Sequence, residues 1–230
     1  MRADGLDLRD APLDGQKVRS TRIFLVRHGE TEWNAGQRFQ GHLDSPLTPI
    51  GLEQAGQMAA RLATRGVEII YSSDLGRAMQ TAEAVASRLG IPVHPTADLR
   101  EIDCGLWTGL SYQDVRERWP EEFARWRHQP HLHRMPGGES VVQVQERGLR
   151  FLARVCRLHS GRAVCAVTHN TVIRSVICHL LRLPLSRLWE GERQANCAIN
   201  LIQCRDGQME LVEIARTDHL TTVSTPRLWV

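Results

Sequence analysis

Ile23-Phe24-Leu25-Val26-Arg27-His28-Gly29-Glu30-Thr31 is the stretch on which the reading of this chain turns. Its first half is β-branched and aromatic, with no turn residue before Gly29, so it predicts a buried strand that ends at an Arg-His step. In open α/β sheets, ligands sit at the carboxyl ends of strands. An arginine placed there offers a planar fork to phosphate or carboxylate, and a neutral histidine beside it offers a nucleophilic ring nitrogen. The step points to phosphoryl transfer through histidine, although taken alone it fits a surface pair as well.

Outward from this strand, the chain alternates strands and helices. Thr48-Pro49 is a helix start with a capping threonine and proline at the first helical position. Leu52, Ala55, Ala59 and Leu62 follow at helical spacing, and Gly66 ends the element. A short strand is expected over Glu68-Ile69-Ile70-Tyr71. Leu75, Ala78, Met79, Ala82, Val85, Ala86 and Leu89 then mark an amphipathic helix closed by Gly90. Arg77 falls in its first turn, off the apolar face and near the carboxyl edge of the sheet. From Ser111 to about Gln129 runs a polar, Trp-rich helical segment interrupted by Pro120. Ser140 and Gln143 have capping-box spacing and open a long helix to about His159. Ala163 to Val167 reads as another buried strand, ending at Thr168-His169. An apolar helix from about Thr171 to Leu183 stops at Pro184, and two strands, about 197–203 and 209–214, close the chain. Repeated strand–helix units of this kind predict an α/β fold of three layers, α/β/α, with a mainly parallel central sheet.

The 230 residues, 42% hydrophobic and 24% charged, suit one domain over 21–230 with an ample core; residues 1–20, polar and aperiodic, read as a flexible leader. A net charge of +3 with no Lys/Arg run longer than two argues against a nucleic-acid partner. Arginine carries nearly all the positive charge, which fits planar anion clamps and codon bias equally. Cys104, Cys156, Cys165, Cys178, Cys197 and Cys204 show no CxxC spacing and read as buried free thiols in a reducing cytosol. Neither a signal peptide nor a membrane span is visible, since Arg174, His179 and Arg182 break the best apolar stretch. The expectation is a cytoplasmic protein with no membrane partner.

Under this reading Arg27 and His28 follow one strand, Arg77 a second and His169 a third, while Glu101 lies in the connecting segment Leu99 to Trp107. All can converge above one sheet edge. The same blocks carry a resemblance. Arg27-His28-Gly29-Glu30-Thr31 with Trp33-Asn34, Gln40-Gly41-His42-Leu43-Asp44-Ser45-Pro46-Leu47-Thr48, Ser72-Ser73-Asp74-Leu75-Gly76-Arg77-Ala78, Leu99-Arg100-Glu101, Gly105 to Gly109, Gly137-Gly138-Glu139-Ser140 and Val167-Thr168-His169 resemble, in order, the histidine phosphatase superfamily of phosphoglycerate mutase-like proteins.

That resemblance implies the roles. His28 would become phosphohistidine, and Arg27, Arg77 and His169 would clamp the phosphoryl oxygens with Asn34 assisting. Glu101 would donate a proton to the leaving alcohol and later activate water. Two guanidiniums and an imidazole can stabilise the transition state without a metal, so no metal and no cofactor are expected. The flanking cations would also keep His28 neutral. Asn170 departs from the glycine usual after the second histidine; it either contacts substrate or caps the apolar helix. Gln40, Gly41, His133 and the tail near His219 are further substrate-side candidates. His131-Leu132-His133 also has the look of a metal pair, but Pro130 and Pro136 bracket it in a loop. Cys104, Trp107, Trp119 and Trp126 read as core and lid packing.

Only 67 residues (102–168) separate Glu101 from His169, fewer than in the cofactor-dependent mutases, so a small helical lid around 105–138 would leave the site open to water. The expected function is hydrolysis of a small phosphomonoester. A phosphoglycerate mutase and a non-catalytic phospholigand-binding module are the alternatives. The segments around 100–103 and 120–126 are similar to broad-specificity phosphatases and metal-independent phosphoserine phosphatases, and the Gln40–Leu47 block is shared with α-ribazole phosphatases. A homodimer contact through the closing strand and Leu228-Trp229-Val230 is open.

Overall fold

In the computed structural model, described over residues 20–224, the quoted stretch forms β1 (Thr21–Arg27) at the centre of a six-stranded sheet. The other elements, in chain order, are α1 (Glu32–Ala35), α2 (Pro49–Ala63), β2 (Ile69–Ser73), α3 (Gly76–Leu89), β3 (Val93–Thr96), α4 (Tyr112–Arg118), α5 (Pro120–His128), α6 (Val141–Leu158), β4 (Ala163–Thr168), α7 (Asn170–Leu180), β5 (Ile199–Arg205) and β6 (Gln208–Arg216). The strand order is β3-β2-β4-β1-β5-β6. β1 and β2 both pair in parallel with β4, and β3 extends this parallel part beside β2. β5 and β6 add an antiparallel hairpin on the far side of β1.

Alternation along β1 builds the two cores. Phe24 and Val26 pack with Met58 and Leu62 of α2 and Val85 of α3, whereas Ile23 and Leu25 pack with Phe151 and Val155 of α6 and Ile173 and Val176 of α7. Both faces of the sheet are therefore covered, which is why β1 and β4 read as unbroken apolar runs. Truncating a fully buried side chain such as Phe24 to alanine is expected to cost about 3–5 kcal/mol. A third cluster, with Trp107, Val115, Trp126, Met135 and Val144, sits under α4 and α5 beyond the carboxyl end of the sheet.

The caps follow the sequence signals. Thr48 Oγ1 accepts from Gly51 N at the start of α2, Ser140 and Gln143 form a capping box on α6, and Gly90 closes α3 in the left-handed region. Two elements were not foreseen, α1 and the edge strand β3, whose Pro95 and exposed positions give no apolar run. The apolar helix ends at Leu180 rather than Leu183, because Arg182 takes a positive φ of 55°. The expected leader and the Leu228-Trp229-Val230 contact lie outside the described residues.

Candidate active site

The parallel strands deliver their carboxyl ends to one edge, and there the expected residues meet. Arg27 ends β1 and His28 follows it; Arg77 stands second in α3, just past β2; His169 joins β4 to α7. A half-open cleft is walled by Arg27, His28, Asn34, Gln40, Gly41, Arg77, Glu101 and Asn170, with Arg38, Tyr112, Trp126 and Trp189 among the rest. His169 is not part of this wall; it is fully buried behind His28, their ring centroids 5.1 Å apart.

The tautomer of His28 is set by its backbone. Nδ1 lies 2.7 Å from the Gly29 carbonyl oxygen, which can only accept, so Nδ1 carries the proton and Nε2 keeps its lone pair. Burial, then Arg77, then Arg27, push the imidazole well below its ordinary pKa. His169 is likewise held low, by burial first and then by Arg77. Its Nε2 meets Ser73 Oγ at 2.8 Å.

Both arginines are buried and anchored at one end. Arg27 donates to the Gln194 carbonyl at 2.7 Å, and burial pulls its guanidinium down to about 10, still charged at neutral pH. Arg77, foreseen off the apolar face, is in fact 1% exposed, on the buried face with Thr81 one turn on. Its guanidinium donates to Asp44 Oδ1 and the Leu43 carbonyl at 2.8 Å and to the Gly41 carbonyl at 2.9 Å. Burial lowers its pKa, with Asp44 and Glu101 opposing the shift. Arg27 Nε, Arg77 Nε and His169 Nδ1 are buried without a hydrogen-bond partner among the described residues. Buried polar atoms ordinarily have partners, so three orphans around one cleft suit an anion with several acceptor oxygens.

Glu101 hangs over the cleft from the irregular segment after β3. Its Oε1 accepts from Ile102 N at 2.8 Å and Thr171 N at 3.3 Å, its Oε2 from Thr171 N at 3.4 Å. Asn34 Oδ1 accepts from Thr31 N and Asn196 Nδ2, both at 3.2 Å, which leaves its amide nitrogen as a donor. Asn170 makes no cap: His169 holds the cap position of α7, and Asn170 Oδ1 accepts from Arg174 Nε at 3.2 Å.

Two candidates are corrected. His133 stacks on Trp107 with ring centroids 5.3 Å apart, inside the third cluster rather than the cleft. His219 Nε2 pairs with the Cys197 carbonyl at 3.1 Å. Both rings serve packing. Sequence reasoning missed Asp44, Ser73 and Asn196 as supports, and Arg38, Tyr112 and Trp189 as wall. Cys104 also lines the cleft, and burial pushes its thiol up, away from the thiolate.

Comparison with known proteins gives the family. The profile of the histidine phosphatase superfamily (branch 1) matches residues 23–217. Phosphoserine phosphatase 1 of Hydrogenobacter thermophilus is 35% identical over 199 residues, covering 86% of this chain and 94% of that protein. A probable phosphoglycerate mutase, GpmB, of Salmonella paratyphi B is 36% identical over 192 residues, covering 81% and 86%. The solved structure of Bacillus stearothermophilus YhfR superposes with a TM-score of 0.84 at 33% identity, covering 87% of this chain and 99% of that one. A profile running through nearly all of the described chain, with relatives of this identity and coverage, makes the protein a member of the histidine phosphatase superfamily, branch 1, and a hydrolase of phosphate esters.

Proposed function

We propose that the chain hydrolyses small phosphomonoesters without a metal, in two steps through His28. His28 Nε2 attacks phosphorus and the bond to the leaving oxygen breaks, while Glu101 gives that oxygen a proton. Water then attacks the phosphohistidine, Glu101 takes its proton, and phosphate leaves with His28 restored. Arg27, Arg77 and the Asn34 amide hold the phosphoryl oxygens. With the Ser73 hydroxyl donating to His169 Nε2, His169 Nδ1 becomes a further donor from behind.

The observation that carries this reading is the fixed tautomer of His28: a neutral imidazole whose Nδ1 proton is held by the Gly29 carbonyl, set among orphaned cationic donors. Phosphoryl transfer needs little beyond such positioning and charge. The segment around 105–138 acts as a short lid over this site, and the brevity of the Glu101–His169 interval favours water over a second alcohol as acceptor. The similarity to a protein named as a mutase keeps phosphoglycerate isomerisation as the second reading. L-Phosphoserine is the first substrate to test, following the relative named for it. No helix among the described residues is long and apolar enough to cross a membrane, and the free thiols suit a cytoplasmic setting.

The test is phosphate release in EDTA from p-nitrophenyl phosphate, L-phosphoserine, α-ribazole phosphate and both phosphoglycerates, with His28→Ala alongside. Release that survives EDTA and vanishes in the variant supports the proposal. Isomerisation of 3-phosphoglycerate primed with 2,3-bisphosphoglycerate, without release, transfers the chain to the mutases. Activity that depends on added metal overturns the metal-free mechanism.

A further inference from the structure

The geometry points to Arg147, paired with Glu139, as the positioning residue for Glu101, an inference that rests on Glu101 being the proton donor proposed above. Glu101 sits in backbone that no regular element holds, between the short 3₁₀ turns Ala97–Leu99 and Gly105–Trp107. A carboxyl that must reach a leaving oxygen needs its Cα fixed by something else. A misplacement of 1 Å can cost about 10²-fold in rate.

Arg147 rises from α6 among Val144, Gly148 and Phe151, on the buried face of that helix. A guanidinium in such a place has lost its water and needs every donor filled. Nε and Nη2 form a two-pronged pair with Glu139 Oε1 at 3.2 Å and Oε2 at 3.0 Å. Nη2 also donates to the Glu101 carbonyl at 2.9 Å, and Nη1 to the Asp98 carbonyl at 3.0 Å and to the Arg100 carbonyl. One fork thus grips three carbonyls in four residues, ending at Glu101 itself.

The remaining groups of the segment are tied in the same way. Thr168 Oγ1 donates to the Leu99 carbonyl at 2.7 Å, and His42 Nε2 meets the Glu101 carbonyl at 3.0 Å. Glu139 Oε2 accepts from Asp103 N, and Glu139 N donates to the Asp103 carbonyl, each at 3.0 Å. Neither Arg147 nor Glu139 belongs to the cleft wall. Their effect on the reaction passes through the backbone they hold.

This separates a positioning role from plain stability. Protonation of the leaving group matters for an alkyl ester and much less for p-nitrophenyl phosphate, whose phenolate leaves unaided. Measuring kcat/KM confines the comparison to steps up to leaving-group departure. The ratio of two substrates on one preparation also cancels any unfolded fraction. For Arg147→Lys and Glu139→Gln, the ratio of kcat/KM for p-nitrophenyl phosphate to that for the fastest alkyl ester of the panel is expected to rise about tenfold or more. A ratio within about twofold of the parent's in either variant overturns the inference, whatever the absolute rates. Glu101→Gln is the control. Should its ratio not rise, the proton-donor reading itself falls; should it rise while the other two stay level, only the positioning inference falls.

Discussion

His28 and His169 stand with ring centroids 5.1 Å apart and planes tilted by 58°, and both are kept neutral chiefly by burial and by the Arg77 guanidinium. A histidine depressed in the native state refuses protons that the unfolded chain accepts once pH falls below about 6.5. Stability is therefore fully present above that pH and is lost as pH falls below it. The melting temperature is expected to drop between pH 7 and pH 5, and to drop less in His169→Asn, which removes one of the two groups. Equal slopes in parent and variant would refute this. By the same shift, the acid limb of kcat/KM that belongs to His28 lies below about 6.5.

Asp44 ties the Arg77 guanidinium, proposed above as a phosphate clamp, to the helix that carries it. Its carboxylate accepts from Gly76 N at 2.6 Å and Arg77 N at 3.2 Å at the start of α3, and from the Arg77 guanidinium at 2.8 Å. α3 lacks a side-chain cap of its own, so Asp44 supplies one from a distant loop. Arg77→Met is expected to lower kcat/KM by about 10²–10³-fold, the scale of losing one charge-stabilising donor. Asp44→Ala should cost about 1 kcal/mol of stability as a lost cap and only a fraction of the rate effect. Steady-state kinetics and urea unfolding on both variants check the order. An Asp44→Ala defect as deep as that of Arg77→Met would show that the clamp depends wholly on its anchor.

Gly41 is where the backbone itself forms part of the cleft. It sits at φ +52°, and an added Cβ would lie 2.9 Å from Cys104 N, while its carbonyl accepts from Arg77. Gly41→Ala therefore meets both strain and contact and is expected to destabilise by about 1–3 kcal/mol. It should lower kcat/KM as well, because the Arg77 anchor moves with it. Unfolding midpoints indistinguishable from the parent's would contradict the backbone argument.

Thiol reagents give a cheap negative test. Burial first, and the Glu101 carboxylate beside it, raise the Cys104 thiol, and burial pushes Cys165 up to about 12. Iodoacetamide near neutral pH is expected to leave native activity intact, since the thiolate is the reactive form. Rapid inactivation that substrate prevents would assign Cys104 an active part.

The convergence of Arg27, His28, Arg77 and His169 was legible because they sit where periodic segments end, and those ends are visible in a single sequence: Val26 before Arg27, Val167 before His169, Tyr71 shortly before Arg77. Glu101, in an irregular segment, was singled out by the family resemblance. The supports were not. Asp44 and Asn196 lie in aperiodic loops, and their partners are far along the chain, so no spacing betrays them. Arg147 and Arg174 did leave a trace, as charges set into the apolar faces of helices, but a charge there also reads as a simple interruption. β3 escaped because an edge strand containing Pro95 needs neither alternation nor an apolar run. The parallel part of the sheet and its covered faces followed from β1 and β4 being apolar on both sides, with Ile23 and Leu25 turned one way and Phe24 and Val26 the other.

The strand order has a consequence for how the chain comes to exist. β4 lies between β1 and β2, which share no other neighbour. On a ribosome, the first two strands emerge early and then wait for residues 163–168 before the sheet can close. Its pairing partners are about a hundred residues or more away along the chain, and closing such loops is slow. His28 and Arg77 are synthesised long before the strand that brings them together, and His169 arrives with that strand. A nascent chain halted before Ala163 therefore exposes two apolar strands and has not yet brought His28, Arg77 and His169 together. Closure of the sheet and assembly of the cleft residues fall at the same point, the emergence of β4.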